Sequence, residues 1–211
     1  MTGAAGSGPA VAPDERAGGA AGPARPVRVV LALGSNLGDR MANLQGAVDA
    51  LTGPPGLGFL AVSAVYETTP VGGPSQPDFL NAVLLVSTAL PARLVLDRAH
   101  AAEAARRRVR GVPWGPRTLD VDVIAYDDVV SDDPVLTLPH PRAHERAFVL
   151  VPWHDVDPGA RIPGRGPVAG LLAASLAPAG PMTGAAAAAT PSVAAAAVGV
   201  RRVPGLLRPP S

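Results

Sequence analysis

The sequence predicts an α+β domain of the ferredoxin-like β-α-β-β-α-β type, an antiparallel sheet with both helices on one face. Two observations predict it. Apolar or alternating runs at Val27–Leu33, Phe59–Tyr66, Phe79–Thr88 and from Leu119 onward read as strands. Stretches with apolar residues at helical spacing separate the first strand from the second and the third from the fourth, while no helix separates the second from the third.

Taken in order, Val27–Leu33 is mostly apolar and β-branched, the pattern of a buried strand. Gly34–Asp39 follows as a tight turn in which Ser35, Asn36 or Asp39 supplies the cap of the next helix. Its Gly-x-x-x-Gly lacks the dinucleotide-binding spacing. Met41, Leu44, Val48 and Leu51 mark that helix, and Gly53-Pro54-Pro55-Gly56 ends it. Between the second and third strands, Glu67–Asp78 is rich in Thr, Pro and Gly and too long for a hairpin turn. Loops of this length in compact domains often bind ligands or act as lids. Asn81, near the start of the third strand, offers an amide suited to the edge of a heterocycle or to a turn. Pro91 opens the second helix, continued by Leu94, Val95, Arg98, Ala102 and Ala105. His100 and Glu103 lie three apart on one side of it, which reads by default as a solvated face. Arg108–Pro113 forms a loop.

The chemistry concentrates in Trp114–Asp122. Leu119, Val121 and Val123 alternate with Asp120 and Asp122. The two-residue period of a strand puts both carboxylates on one face, about 7 Å apart. Two oxygen ligands on a rigid strand suit hard cations such as Mg2+. Arg106, Arg107, Arg108, Arg110 and Arg117 cluster beside them, and guanidinium groups pair well with phosphate. Trp114 adds a flat surface for a ring. An Asp-x-Asp pair alone is also an ordinary solvated strand face, and an arginine run an ordinary helix face. Their combination within so few residues points to a bound nucleoside triphosphate.

Downstream, Asp127-Asp128 and Asp132-Asp133-Pro134 read as turns around a short strand at Val129-Val130. His140 sits on a stiff loop between two prolines. Arg142 and Arg146 border the apolar run Glu145–Trp153; buried arginines need partners, so near a triphosphate they are candidate phosphate ligands. A helix at Val168–Leu176 closes the domain.

Composition narrows the function. All 18 basic residues of the 211 are arginine, which excludes a Walker A loop and the lysine-dependent protein kinases. Cysteine is absent and the four histidines have no zinc-protease spacing, so disulfides, thiolate sites and a zinc centre are not expected. A net charge of +1 and scarce aromatics argue against nucleic acid or an acidic membrane surface as a partner. Residues 1–26 read as a disordered Gly/Ala/Pro leader without a secretory core, and residues 178–211 as a low-complexity Ala/Pro/Gly tail. The uncharged stretch before Arg201 is interrupted by Pro167, Pro178, Pro181 and Pro191, which argues against a membrane span. The working domain is then residues 27–177, and trimming to residues 25–179 is expected to leave activity intact.

With these residues assembled, the chain resembles the 6-hydroxymethyl-7,8-dihydropterin pyrophosphokinases, a family of the folate pathway. The resemblance rests on Leu33–Gly38, Tyr66–Pro70, Gln76–Asn81, Arg108–Arg110, Trp114–Asp122 and Leu138–Arg142 through Phe148. It implies the ferredoxin-like fold and transfer of pyrophosphate from ATP to the hydroxymethyl group of the pterin, with release of AMP. It implies two Mg2+ ions on Asp120 and Asp122, and Arg108 and Arg117 as catalytic loop arginines. ATP would also meet His100, Glu103, Arg110, Val123, Thr137, His140 and Arg146. The pterin would meet Thr68, Thr69, Val71, Phe79, Asn81, Trp114 and Phe148, with Phe148 and either Phe79 or Trp114 stacking on the ring. Phe79 stands where the family often has tyrosine, and Pro141 replaces another tyrosine. The implied enzyme is a cytoplasmic monomer. The competing enzyme class is another Mg2+-dependent nucleotidyl or phosphoryl transferase using the same Asp pair, which would turn over nucleotide without regard to a pterin.

Overall fold

The computed structural model describes residues 25–70, 74–106, 115–176 and 199–210. Strand β1 (Val27–Ser35) leads into helix α1 (Arg40–Thr52), then strands β2 (Gly58–Val62), β3 (Tyr66–Thr68) and β4 (Phe79–Thr88), helix α2 (Ala92–Ala105) and strand β5 (Asp120–Tyr126). The sheet order is β5-β1-β4-β3, with β2 also paired to β4 and every pairing antiparallel. This is the ferredoxin-like arrangement, with the second strand broken in two. Phe59–Tyr66 is not continuous because Ser63–Val65 leave the ladder. Ser63 turns inward instead, its hydroxyl accepting from the Val83 amide at 2.9 Å.

Helices α1 and α2 cover one face through Leu44, Val48, Leu51, Val95, Ala99 and Ala102, against Leu31, Leu33, Leu84 and Val121. Burying each leucine of this set stabilises the fold by about 1.5–3 kcal/mol. Asp39 caps α1 by accepting from the Ala42 amide at 3.0 Å, so Ser35 and Asn36 are left for other work.

Further elements lie beyond the repeat. Helix α3 (Ala147–Val156) and helix α4 (Val168–Leu176) follow β5, with the two-residue strands β6 (Arg161–Ile162) and β7 (Gly166–Pro167) between them. Val149, Leu150, Trp153 and Val168 pack on Val30, Ala32, Val83, Leu85 and Ile124. The second face of the sheet is therefore covered over part of its area, and the site occupies the remainder. Val129-Val130 forms no strand. Both side chains are exposed, and the only pairing nearby is a bridge between Ser131 and Leu138.

Residues 199–210, assigned to the tail on composition, are built into the domain. Val200–Arg202 forms strand β8 on the free edge of β3, and Leu207 is buried in the core under α1. Trimming the chain at residue 179 would remove both. Among the described residues, no helix is long and apolar enough to cross a membrane.

Candidate active site

One row of residues across the sheet defines the site. Tyr66 of β3 faces Asn81 of β4, Asn81 faces Gly34 of β1, and Gly34 faces Asp120 of β5. Directly opposed residues share a face, so Asn81 and Asp120 flank a glycine that has no side chain. A Cβ on Gly34 would lie 3.2 Å from Asn81 Oδ1 and 3.8 Å from both the Asp120 Cβ and a Phe79 ring carbon. The glycine thus holds open the floor between an amide and aromatic side on β4 and a carboxylate side on β5.

On the β5 side, Asp120 and Asp122 share a face, as their spacing predicts. Val121 and Val123 point the other way into the core. Val123 can therefore reach a ligand only through its backbone. The Val121 amide donates to Oε1 of the buried Glu103 at 2.9 Å. Glu103 is only 3% exposed, so the solvated-face expectation fails for it and holds for His100, which is exposed. The sheet edge of β5 needs its outward amides satisfied, and a carboxylate from α2 does this for Val121.

Each aspartate faces an arginine. Arg117 Nη1 donates to Asp120 Oδ2 at 2.6 Å, and Arg146 Nη1 to Asp122 Oδ2 at 3.4 Å. Asp120 and Asp122 remain 22% and 36% exposed. Half-exposed hard oxygen donors one residue apart on a strand fit Mg2+, which keeps waters and takes phosphate oxygens for the rest of its shell. Among the described residues there is no cluster of three or more His, Cys, Asp or Glu that could hold a metal unaided.

Arg146 also lies over the Phe148 ring, 5.5 Å from its centroid. Burial lowers the Arg146 pKa, opposed by Asp122, yet a guanidinium stays charged at neutral pH. Burial and then the Arg146 charge pull the His140 pKa from 6.5 to about 4. His140 Nδ1 accepts from the Arg142 amide at 3.2 Å, so the neutral ring carries its hydrogen on Nε2.

A folded-state pKa below the unfolded one means that the unfolded chain takes the proton first. The stability due to neutral His140 is complete above pH 6.5 and is lost as pH falls through about 4. Urea unfolding from pH 8 to pH 4, spanning about four pH units, should show a fall in this window that His140→Asn lacks. An identical pH slope in both proteins would remove His140 as its source.

On the β4 side, Asn81 is buried and donates to Thr68 Oγ1 at 2.7 Å. Phe79 and Phe148 are half-buried, and Thr69 is exposed. Thr137 is half-buried, its hydroxyl donating to the Asp133 carbonyl at 3.1 Å. Val71, Arg108, Arg110 and Trp114 lie outside the described residues. Arg106 lies over Gly46 of α1, where a Cβ would come within 1.3 Å of its guanidinium, so it belongs to the helix packing and not to the phosphate cluster.

The sequence offers Asn36 as a turn residue or helix cap, and the structure gives it a larger part. It is 2% exposed. Its Nδ2 donates to Gln76 Oε1 and to the Pro77 carbonyl, both at 3.0 Å. Its Oδ1 accepts from the Arg117 amide at 2.7 Å, and its own amide donates to the Arg117 carbonyl at 3.0 Å. One amide thereby ties the loop before Phe79 to the segment before Asp120. Ser35 assists, donating to the Thr118 carbonyl at 2.6 Å. Such a tie is invisible in local spacing, since its partners are 40 and 81 residues away.

Comparison with known proteins bears on this geometry. The sequence pattern of the family described as 7,8-dihydro-6-hydroxymethylpterin-pyrophosphokinase matches residues 30–158. Among curated proteins, the chain is similar to the 2-amino-4-hydroxy-6-hydroxymethyldihydropteridine pyrophosphokinase of Mycobacterium tuberculosis, 49% identical over 160 residues that cover 69% of this chain and 82% of the relative. It is similar to the proteins of the same name from Methylorubrum extorquens, at 45% identity with 65% and 87% covered, and Pseudomonas aeruginosa, at 41% with 70% and 91% covered. Among solved structures, a Plasmodium falciparum HPPK-DHPS triple mutant with pteroate superposes with a TM-score of 0.55 at 14% identity. The match covers 70% of this chain and 43% of that one, and supports the fold alone.

Proposed function

The chain belongs to the 7,8-dihydro-6-hydroxymethylpterin-pyrophosphokinase family, and on that premise we propose how its site carries out the reaction. The enzyme transfers pyrophosphate from ATP to the hydroxymethyl group of 6-hydroxymethyl-7,8-dihydropterin, giving the pterin diphosphate and AMP in folate biosynthesis. The observation that carries the assignment of residues is the row Asn81–Gly34–Asp120. It sets an amide and an aromatic ring on one side of an open glycine and a cation-binding carboxylate on the other.

The pterin lies on the β4 side. Asn81, held in place by Thr68, meets the hydrogen-bonding edge of the ring, and Phe79 and Phe148 supply apolar faces. Thr69 and the backbone near Val71 complete that edge, and Trp114 covers the ring. ATP lies along β5. Its triphosphate meets Arg117 and Arg146, whose guanidinium groups also pair with Asp120 and Asp122. Arg108 and Arg110 join from the preceding loop. His140 is neutral and offers Nε2–H to a phosphate oxygen as a hydrogen-bond donor, adding no charge of its own. Successive amides of a strand point in opposite directions, so the Val123 amide points outward as that of Val121 does. It is thus placed for the base, with His100 and Thr137 nearby in the reading.

In the reaction, the hydroxymethyl oxygen bonds to the β-phosphorus as its proton passes to solvent water. The bond from that phosphorus to the oxygen it shares with the α-phosphate breaks, and AMP leaves with that oxygen. Two Mg2+ ions on Asp120 and Asp122 would neutralise charge on the triphosphate. The protein's contribution is placement: two substrates on adjacent strands, with arginines aimed at the phosphates and the loops excluding water. The reading takes the chain to act as a monomer in the cytoplasm.

The metal count tests this assignment. Mn2+ titrated by electron paramagnetic resonance, with a non-hydrolysable ATP analogue and pterin present, should reach about two tightly held ions per chain. Asp122→Asn should lower that number, and an unchanged stoichiometry in that variant would remove Asp122 as a ligand.

A further inference from the structure

We infer that residues 199–208 form a strap that positions the pterin-side residues Thr68 and Asn81, with Arg201 acting through Glu67; this rests on the assignment of Thr68 and Asn81 to the pterin. Strand β3 is three residues long and lies between β4 and the outside of the sheet. So short a strand held on one side is a weak base for a loop. Strand β8 pairs with all of it, Val200 opposite Thr68, Arg201 opposite Glu67 and Arg202 opposite Tyr66. Thr68 is the residue that holds Asn81, so the strap reaches the pterin edge through one hydrogen bond.

Glu67 connects the strap to both ends of the loop. Arg201 Nη2 donates to Glu67 Oε2. Arg40 Nη1 donates to Glu67 Oε1 at 2.9 Å and to the Asp78 carbonyl at 2.7 Å. Glu67 precedes the loop and Asp78 ends it, so the two arginines and one carboxylate close it at its base. The Arg40 hydrogen bond, with the Arg201 bond adding to it, keeps the Glu67 carboxyl below its ordinary pKa.

The strap then crosses α1, the helix that begins with Arg40. The Val203 amide donates to the Val65 carbonyl at 3.0 Å, and Leu207 enters the core. Gln45 and Arg208 exchange bonds at 2.8 and 3.1 Å. The strap therefore contacts both the strand that carries Glu67 and the helix that carries Arg40. Asp120, Asp122 and Arg146 belong to the opposite end of the sheet, on and beside β5. The strap bonds the pterin side directly and reaches the β5 side at one remove, through Asn36, which ties Gln76 and Pro77 to Arg117.

The test uses full-length protein and steady-state AMP formation with each substrate varied. Arg201 is 70% exposed, and exposed pairs are weak, so Arg201→Ala should raise the pterin KM about threefold. Arg201→Lys should restore most of it. Deleting residues 199–211 should raise it about tenfold or more, since a loop base is lost. The ATP KM at saturating pterin should stay within about twofold in each case. An unchanged pterin KM in Arg201→Ala, or equal rises for both substrates, would overturn the inference even if the deletion fails to fold. Absence of pterin-dependent AMP in the unaltered chain is a separate result, and would overturn the functional reading together with the strap's role.

Discussion

Replacing Asp120 by asparagine is expected to lower kcat by about 10²–10³-fold, the range found when a single group aimed at transition-state charge is removed. The change keeps the shape of the side chain and removes the charge. Asp120 lies on β5 opposite Gly34. On the proposed assignment, loss of its charge weakens the cation seat between the pterin side and the triphosphate. Stability should change little, by about 1 kcal/mol or less, because the Arg117 partner is itself part-exposed and finds water instead. Thermal unfolding and AMP formation measured on one preparation separate the two effects. Normal kcat with metal still bound would remove Asp120 from the chemistry.

Asn36→Ala is expected to cost about 2–3 kcal/mol of stability and about 10²-fold in kcat/KM, because a buried amide is lost together with the alignment it enforces. The alanine removes the acceptor of the Arg117 amide and the Asn36 donor to Gln76 and Pro77. The physical point is that two loops from opposite halves of the repeat meet on one side chain. Once it is gone, each loop settles alone, and productive alignment of pterin and ATP becomes rare. Urea unfolding reads the first effect and initial rates the second. A stability loss with unchanged kcat/KM would show that Asn36 serves the fold and not the alignment.

Much of this site is legible in the sequence because its logic is local. Asp120 and Asp122 share a face by strand period alone, and Leu44, Val48 and Leu51 announce α1 by theirs. What escapes is long-range or lacks a period. Helix α3 is apolar on nearly all sides and contains Pro152, so no stripe marks it as a helix. Glu103 has the spacing of a surface residue, and only the edge of β5 explains its burial. Asn36 has the context of a cap, but Asp39 fills that role and frees Asn36 for the loops. Strand β8 follows a long Ala/Pro stretch, and nothing in Val200–Arg202 tells that the edge of β3, more than 130 residues away, needs a partner. Arg106 belongs by sequence to a phosphate cluster and by structure to α1, since only Gly46 leaves room for it.

The most direct test of the account follows the fate of ATP in the presence and absence of 6-hydroxymethyl-7,8-dihydropterin and Mg2+, resolving nucleotides and pterins by chromatography. The account predicts AMP and pterin diphosphate in equal amounts, formed only when both the pterin and the metal are present. ADP as the product, or nucleotide turnover indifferent to the pterin, would contradict it and leave Asp120 and Asp122 as the cation site of a different phosphoryl transfer.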